Sequence, residues 1–414
     1  MRHSQEQRVR RGVALTMVVS VAALVSCSGD GSDGGSGDWL EDLEPMTLRI
    51  AEWSGDATTG PYGQAWEGFA ERVEEATDGK ITFEFYWGTS LLEATNAMEG
   101  VRDGVADISM VNSVYYPSEL PVGAWLSGLG ATATGSSVHD VAAGGAAFFE
   151  TAQTLESLVD EWTAQNLYPI VPFASAPYNL ICTEPLETLD DAANKLVRTT
   201  GQAWTVPIEA LGMIPVDLSY NEIYEGLQRG VIDCVTINPY QLSSSLVLED
   251  VAPYFHPVPF PQFPGTWVMT LDLWEELPPE LQEIMHDEAA QAAFDIWDRF
   301  IEFEALAGEA IASGEVVQTV EAAELGEAAQ ASHEEALANL PSTAPASVTD
   351  PEQVVADYVA LVENWTEVLE DQGHEMPGRD LDSILESFEA LPETDYTEFF
   401  EQFQAEYVEP SGPP

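Results

Sequence analysis

Residues 225–238 read EGLQRGVIDCVTIN, and residues 99–112 read EGVRDGVADISMVN. Superimposed, the two stretches share Glu, Gly, Gly, Val, Asp and Asn, with Val/Leu and Val/Ile exchanges between. Each copy reads as the end of a helix, a glycine turn and a buried strand. Gly104 and Gly230 stand where the helix must stop at positive φ, which glycine adopts without a Cβ penalty. Asp107 and Asp233 follow at the strand entry. Val105, Ile108, Met110 and Val111 in one copy, and Val231, Ile232, Val235 and Ile237 in the other, suit a strand covered on both faces. Asn112 and Asn238 then close the strands at their carboxyl ends, where open α/β sheets bind ligands. Two such sheets predict a cleft between two lobes, each presenting one Asn. Shared turn chemistry is the competing explanation, since Gly and Asn also suit loops.

The flanking sequence carries the same grammar outward. TLRIAEW, ITFEFYW and DISMVN alternate with helical patterns, the first of them over Tyr62, Trp66, Phe69, Val73 and Ala76. That order predicts a mostly parallel sheet with helices on its faces. A helical stretch over 141–166 leads to LYPIVPF, YNLICT, NKLVRTT and VIDCVTIN, predicted strands of a second lobe, with SYNE (219–222) as a capping box. TWVMTLDLW is predicted to return to the first lobe. A long helix is predicted over 279–313, with Leu281, Met285, Ala289, Ala292, Ile296, Phe300 and Phe303 along one side. The expected organisation is therefore a first lobe over 46–165 with a return segment at about 255–278, a second lobe over 166–254, a long connecting helix with packing helices over 279–350, and an acidic helical extension over 351–414.

The amino-terminal residues are predicted to be a leader rather than part of the fold. Arg2, Arg8, Arg10 and Arg11 precede an apolar run that ends in LVSC, residues 24–27. That pattern predicts cleavage over residues 1–27 and lipidation of Cys27; an ordinary signal peptide with a chance Cys is the alternative. The Gly/Ser/Asp-rich stretch within residues 28–45 suits a flexible tether. The expected location is the outer face of the cytoplasmic membrane. Cys182 and Cys234 then remain, and an oxidising compartment favours one disulfide between them over two buried thiols.

Charge excludes one class of partner. The chain holds 13 Lys+Arg and 72 Asp+Glu. Without residues 1–27, which carry four Arg and one Glu, 9 (13 − 4) face 71 (72 − 1), a net of −62. Such a surface does not bind nucleic acid. With 45% apolar residues the chain is nevertheless a folding one, and an acidic, lysine-poor surface fits a saline habitat.

No nucleophile elbow, HExxH, phosphate loop or dinucleotide fingerprint is present, the six His are scattered, and no calcium-loop pattern occurs. No enzyme activity, cofactor or metal is expected. Arg198 stands out among the arginines: it ends an apolar strand, KLVR, and precedes TTG. A guanidinium there offers a planar fork to a ligand carboxylate, or pairs with one of the chain's own acids.

Several blocks carry a family resemblance: TLRIAEW…FAERVEEATDGKITFEFY, EGVRDGVADISM, TEPLETLDDAANKLVRTTGQAWTVPIEALGMIPVDLSYNEIYEGLQRGVIDCV and LDLWEELPPELQEIM. Over roughly residues 46–300 the chain resembles the DctP-type substrate-binding proteins of tripartite ATP-independent periplasmic (TRAP) transporters. The resemblance implies a two-lobed, periplasmic-binding-protein-like α/β fold with a mixed, mostly parallel sheet in each lobe. It implies a receptor that clamps a small organic anion and hands it to membrane permease subunits driven by an ion gradient. It matches Arg198 to the family's carboxylate-binding arginine, Tyr220 to an aromatic contact and Asn238 to a polar one, and puts first-lobe contacts near Glu52, Trp53 and Asn112. The position of a second arginine in acidic-sugar binders falls near Tyr178, which argues against a sialic-acid-like ligand. A carboxylate or a zwitterionic osmolyte fits the single fork. Rival readings are a receptor for an ABC importer, an extracytoplasmic hydrolase and a structural envelope lipoprotein.

Overall fold

The two copies of the repeat fold alike, and their shared residues say why. In the computed structural model, Gly104 and Gly230 have φ of +69° and +68°. Just before them, helices α2 (Ala97–Arg102) and α5 (Ile223–Gln228) end, and just after come strands β3 (Ile108–Val111) and β8 (Cys234–Ile237). The earlier glycines are fixed by space: a Cβ on Gly100 would meet Leu92 at 2.2 Å, and one on Gly226 would meet Leu218 at 2.9 Å. Val105 and Val231 then return their N–H groups to the carbonyls of Gly100 and Gly226, each at 2.8 Å. The aspartates clip the strand to its parallel neighbour. Asp107 N–H donates to the Arg49 carbonyl at 2.9 Å, and its carboxylate accepts the Arg49 N–H at 2.8 Å. Asp233 does the same to Leu196, at 2.7 and 2.8 Å. The repeat is thus a helix-to-strand joint used once per sheet.

The structure describes residues 39–56, 58–133, 139–244, 246–374, 383, 386 and 395–408. The leader, Cys27 and most of the tether lie outside the described residues, as do parts of the extension, 375–382, 384–385, 387–394 and 409–414. Residues from Asp42 on form one unit. Its first sheet runs β2-β1-β3-β10-β4, from β1 (Met46–Glu52), β2 (Ile81–Trp87), β4 (Leu167–Ala174) and β10 (Pro264–Thr270). Its second runs β11-β9-β5-β8-β6-β7, from β5 (Tyr178–Cys182), β6 (Leu196–Thr199), β7 (Ile214–Asp217), β9 (Tyr254–Phe260) and β11 (Gln318–Thr319). Both sheets are mixed, with parallel and antiparallel pairs in each. The α/β two-lobed architecture is as expected.

Two strands sit elsewhere than the sequence suggests. Leu167–Ala174, expected in the second lobe, pairs antiparallel with β10 in the first sheet. Tyr254–Phe260, expected within the return segment, pairs with β5 in the second. The chain changes sheet at 175–177, again at 261–263, and a third time between β10 and β11, through the long helix. The first two crossings bind each other: Ser175 N–H donates to the Phe263 carbonyl at 2.9 Å, and Phe263 N–H to Ser175 Oγ at 3.0 Å. The Trp204 indole holds Pro261 from the second lobe at 3.0 Å, and Gln262 Nε2 reaches the Asp140 carbonyl at 2.9 Å.

Cys182 and Cys234 are directly opposed on β5 and β8 and joined by a disulfide, with Cα atoms 4.1 Å apart. The long helix spans Pro279–Ser313 (α6) and stops at Gly314, φ +60°. It packs on α1 (Pro61–Ala76), where Arg72 bridges Glu288 and Asp295. The extension contributes α8 (Pro351–Asp371) and α9 (Thr397–Phe403). Helix α8 lies on α3 (His139–Thr154), and Phe403 packs among Phe149, Trp297 and Trp365. Apolar burial, at ~25 cal/mol per Å², therefore holds this region to the first lobe despite its acidity.

Candidate functional site

Arg198 lies in β6, between β7 and β8, with Val216 and Val235 as its register partners. Valines on either side explain why the strand is buried, and the side chain itself is only 1% exposed. Its Nε donates to the Leu218 carbonyl at 3.1 Å, Nη1 to Thr200 Oγ1 at 2.9 Å and Nη2 to the Tyr115 phenol at 3.4 Å. No Asp or Glu among the described residues lies within 4.0 Å of it. The other described arginines and lysines are partly or fully exposed. Most bind acids: Arg49 with Asp107, Arg72 with Glu288 and Asp295, Lys195 with Glu184, Arg229 with Glu225, Arg299 with Asp298 and Glu302. A buried cation without an anion costs several kcal/mol. The expectation that Arg198 pairs with one of the chain's own acids is therefore not met.

The two repeat asparagines differ in what they leave free. Asn112 is 1% exposed; its Oδ1 caps the following turn by accepting the Val114 N–H at 3.1 Å, while Nδ2 has no partner among the described residues. Asn238 spends its Nδ2 on the Ala176 carbonyl, at 2.6 Å, and so ties the strand end to the first crossing. Asn112 begins a first-lobe segment that reaches the second lobe. Val114 comes within 3.3 Å of where a Gly201 Cβ would stand, and Tyr115 meets Arg198.

Aromatic rings close the remaining side. Trp53 is fixed by its indole N–H on the Met110 carbonyl, 2.9 Å, and meets Tyr115 and Tyr220 edge to face at 6.3 and 5.8 Å. Tyr220 begins the turn capped by Ser219, whose N–H and hydroxyl both donate to Glu222. Its phenol donates to the Ser54 carbonyl at 3.3 Å across the lobes and accepts from Gln241 Nε2 at 3.0 Å. Tyr178 stacks on Phe263, which in turn packs against Tyr115. Burial raises the Tyr178 phenol well above its ordinary range, with Tyr115 adding to the shift and Arg198 opposing it.

Glu52 is placed differently from the expectation that it contacts ligand. It is fully buried, and its two oxygens accept the Ser54 N–H and hydroxyl at 2.8 and 2.6 Å and the Trp66 indole at 2.9 Å. Burial raises its pKa, and those hydrogen bonds oppose the rise. It shapes the turn that presents Trp53 and Ser54. Tyr115, Phe263, Thr200 and Gln241 belong to the cluster and were not singled out from sequence. A signal existed for two of them: Tyr115 follows Asn112 by three residues, as Gln241 follows Asn238.

The arrangement can receive an anion on Arg198 and hold an apolar body against the rings. Among the described residues no group of three His, Cys, Asp or Glu side chains could hold a metal ion, and no helix is long and apolar enough to cross a membrane. A cavity of about 650 Å³ lies elsewhere, bordered by Pro117, Trp125, Ala203, Pro261, His333 and Leu340. It is mostly apolar and lacks any Arg or Lys, so it is the poorer candidate for an anion.

Residues 54–340 match the family of bacterial extracellular solute-binding proteins, family 7, or DctP. A solute-binding protein of Chromohalobacter salexigens is 25% identical over 255 residues, 60% of this chain and 73% of that one. The ectoine-binding periplasmic protein TeaA of Halomonas elongata is 28% identical over 150 residues, 36% of this chain and 43% of that one. Among solved structures, a TRAP periplasmic solute-binding protein of Bordetella bronchiseptica with bound mandelate matches at TM-score 0.66 and 20% identity, covering 77% of this chain and 99% of that one. A marine metagenome TRAP solute-binding protein with pyroglutamate matches at TM-score 0.65 and 16% identity, covering 76% and 99%. A solute receptor rather than an enzyme is what this family match describes, and the chain belongs to the DctP family of TRAP-transporter solute-binding proteins.

Proposed function

We propose that the protein captures a small organic carboxylate between its lobes and delivers it to the membrane subunits of a TRAP-type transporter. The observation that carries this reading is Arg198, a buried guanidinium with no acid beside it among the described residues, facing Tyr115 of the opposite lobe. The ligand carboxylate takes the bidentate fork, the role for which Arg differs from Lys. Asn112 and the ring cluster meet the rest of the ligand. The relatives crystallised with mandelate, pyroglutamate, orotate and galacturonate support a carboxylate class. Lipidation of Cys27 would hold the receptor at the outer face of the cytoplasmic membrane.

The test is a thermal-shift screen of carboxylates at low and high salt. A ligand at 100 times its Kd stabilises by about 2.7 kcal/mol through mass action. Carboxylates that raise Tm only with Arg198 intact support the reading. Neutral or cationic ligands that do so equally with Arg198→Ala contradict it. Fractionation of a Cys27→Ser protein tests the anchor, which fails if that variant stays with membranes.

A further inference from the structure

We infer that the cleft selects a planar, ring-bearing monocarboxylate with one ring hydroxyl or carbonyl oxygen, over dicarboxylates and zwitterions. The inference rests on the carboxylate reading above and adds the class of ligand. Three observations carry it.

The first is a count of charge. Among the described residues Arg198 is the only buried Arg or Lys. A second carboxylate on the ligand would enter the same closed space without a cation, and a buried unpaired charge costs several kcal/mol. The buried acids among the described residues are two. Glu52 already accepts three hydrogen bonds, and Glu304 lies on α6 facing the Tyr240 backbone. No carboxylate at Arg198 is left to receive a ligand ammonium.

The second is the wall. Trp53, Tyr115, Tyr178, Tyr220 and Phe263 form an unbroken series of ring contacts, from Tyr220 through Trp53 and Tyr115 to Phe263 and Tyr178. The two Trp53 contacts are edge to face, at interplanar angles of 78° and 70°. Such rings favour another flat π-system in offset or edge-on contact. An aliphatic chain gains burial there but not that geometry.

The third is the orphaned amide. Asn112 Nδ2 is buried and lacks a partner among the described residues. It is a donor, so it asks for an oxygen acceptor on the ligand, since a buried donor left unmet is unfavourable.

The experiment is calorimetric titration of four probes into the wild type and three variants: 3-hydroxybenzoate, benzoate, succinate and ectoine, against Arg198→Ala, Asn112→Ala and Tyr220→Leu. The inference predicts that 3-hydroxybenzoate binds at least tenfold tighter than succinate and ectoine. It predicts that Asn112→Ala brings 3-hydroxybenzoate to within threefold of benzoate, and that Tyr220→Leu weakens both aromatic acids more than succinate. Succinate or ectoine binding within tenfold of 3-hydroxybenzoate, or more tightly, overturns the class. If Arg198→Ala then abolishes that binding, the carboxylate reading survives the loss; if Arg198→Ala changes nothing, both fail. Absence of binding by all four probes also overturns the class.

Discussion

Arg198 of the second lobe and Tyr115 of the first meet across the cleft, guanidinium nitrogen to phenol oxygen, at 3.4 Å. This is a long contact between a cation and a neutral group, and a carboxylate would satisfy the same nitrogen better. Each stands toward the carboxyl end of a strand: Tyr115 just beyond the end of β3, Arg198 near the end of β6. Arg198 is 1% exposed, and in so dry a setting a single charge interacts strongly.

The aspartate joints fix the entries of the strands that lead to these residues. Asp233→Ala removes a carboxylate that accepts the Leu196 N–H two residues before Arg198. A loss of about 1–3 kcal/mol is expected, the range for a partly buried donor left unmet. Asp107→Ala should cost at least as much, since Arg49 Nε and Nη2 also bind that carboxylate. Urea denaturation measures both, and a change under about 0.3 kcal/mol in either contradicts the joint.

The Cys182–Cys234 bond closes a loop with a sequence separation of 52. In the chain-entropy account such a loop contributes about 4 kcal/mol by constraining the unfolded chain. The double variant Cys182→Ser/Cys234→Ser is expected to lose about 2–4 kcal/mol and to keep ligand affinity within a few-fold. Equal stability with and without a reductant in the wild type would contradict this.

Two buried groups give opposite pH dependences. Burial lowers His256 from 6.5 to about 4, and its Nε2 accepts the Leu186 N–H at 2.9 Å. Between those values the unfolded chain binds the proton that the folded one refuses. This contribution is therefore complete above about 6.5 and lost as pH falls toward 4, amounting to about 3 kcal/mol at most. Glu304 is 2% exposed with neither oxygen hydrogen-bonded among the described residues, and burial raises its pKa well above the ordinary carboxyl range. Its folded form keeps the proton, so its contribution is complete below the ordinary value of 4.5 and is lost as pH rises through the raised one. Stability measured from pH 4 to 8 should therefore rise less steeply at the acid side in His256→Gln, and fall less at the alkaline side in Glu304→Gln. Variant curves parallel to wild type throughout would contradict both assignments.

Much of this was readable from residues alone, for reasons the structure makes plain. The repeat is legible because positive φ demands Gly104 and Gly230 and because the strand edge needs Asp107 and Asp233. Arg198 stood out because it ends an apolar strand, but the strand alone left pairing with one of the chain's own acids open; the structure shows it buried with no such acid among the described residues. The sheet membership of 167–174 and 254–260 was not. A strand's pattern reports burial and says nothing of its partner, and the crossings at 175–177 and 261–263 are three residues each. Tyr115 and Phe263 were not singled out because an aromatic beside a strand end gives no sign of which rings it will meet; here they pack on each other and on the buried cluster that holds Tyr178 and Trp204. The hydrogen bonds of Glu52 to Ser54 and Trp66 were equally hidden, because a carboxylate at a strand end gives no sign of its partners.

Salt should speed ligand capture. The chain without residues 1–27 carries a net −62, from 9 basic and 71 acidic residues, and repels an anion at long range. Raising ionic strength from 0.1 to 1 M shortens the screening length from about 10 to 3 Å. That removes the surface repulsion while leaving a buried contact largely intact. Stopped-flow association rates with an identified carboxylate should rise across this range; a fall would mean that a positive surface region steers the ligand.

The most direct measurement is calorimetric titration of a carboxylate found by the thermal screen into wild type, Arg198→Lys and Arg198→Ala, with circular dichroism to confirm that each is folded. The account predicts that Arg198→Ala loses at least a hundredfold in affinity, about 2.7 kcal/mol, and that Arg198→Lys also weakens, because a point charge does not reproduce the fork. Binding by folded Arg198→Ala within threefold of wild type, under about 0.7 kcal/mol, would contradict it and make Arg198 a residue of the fold alone.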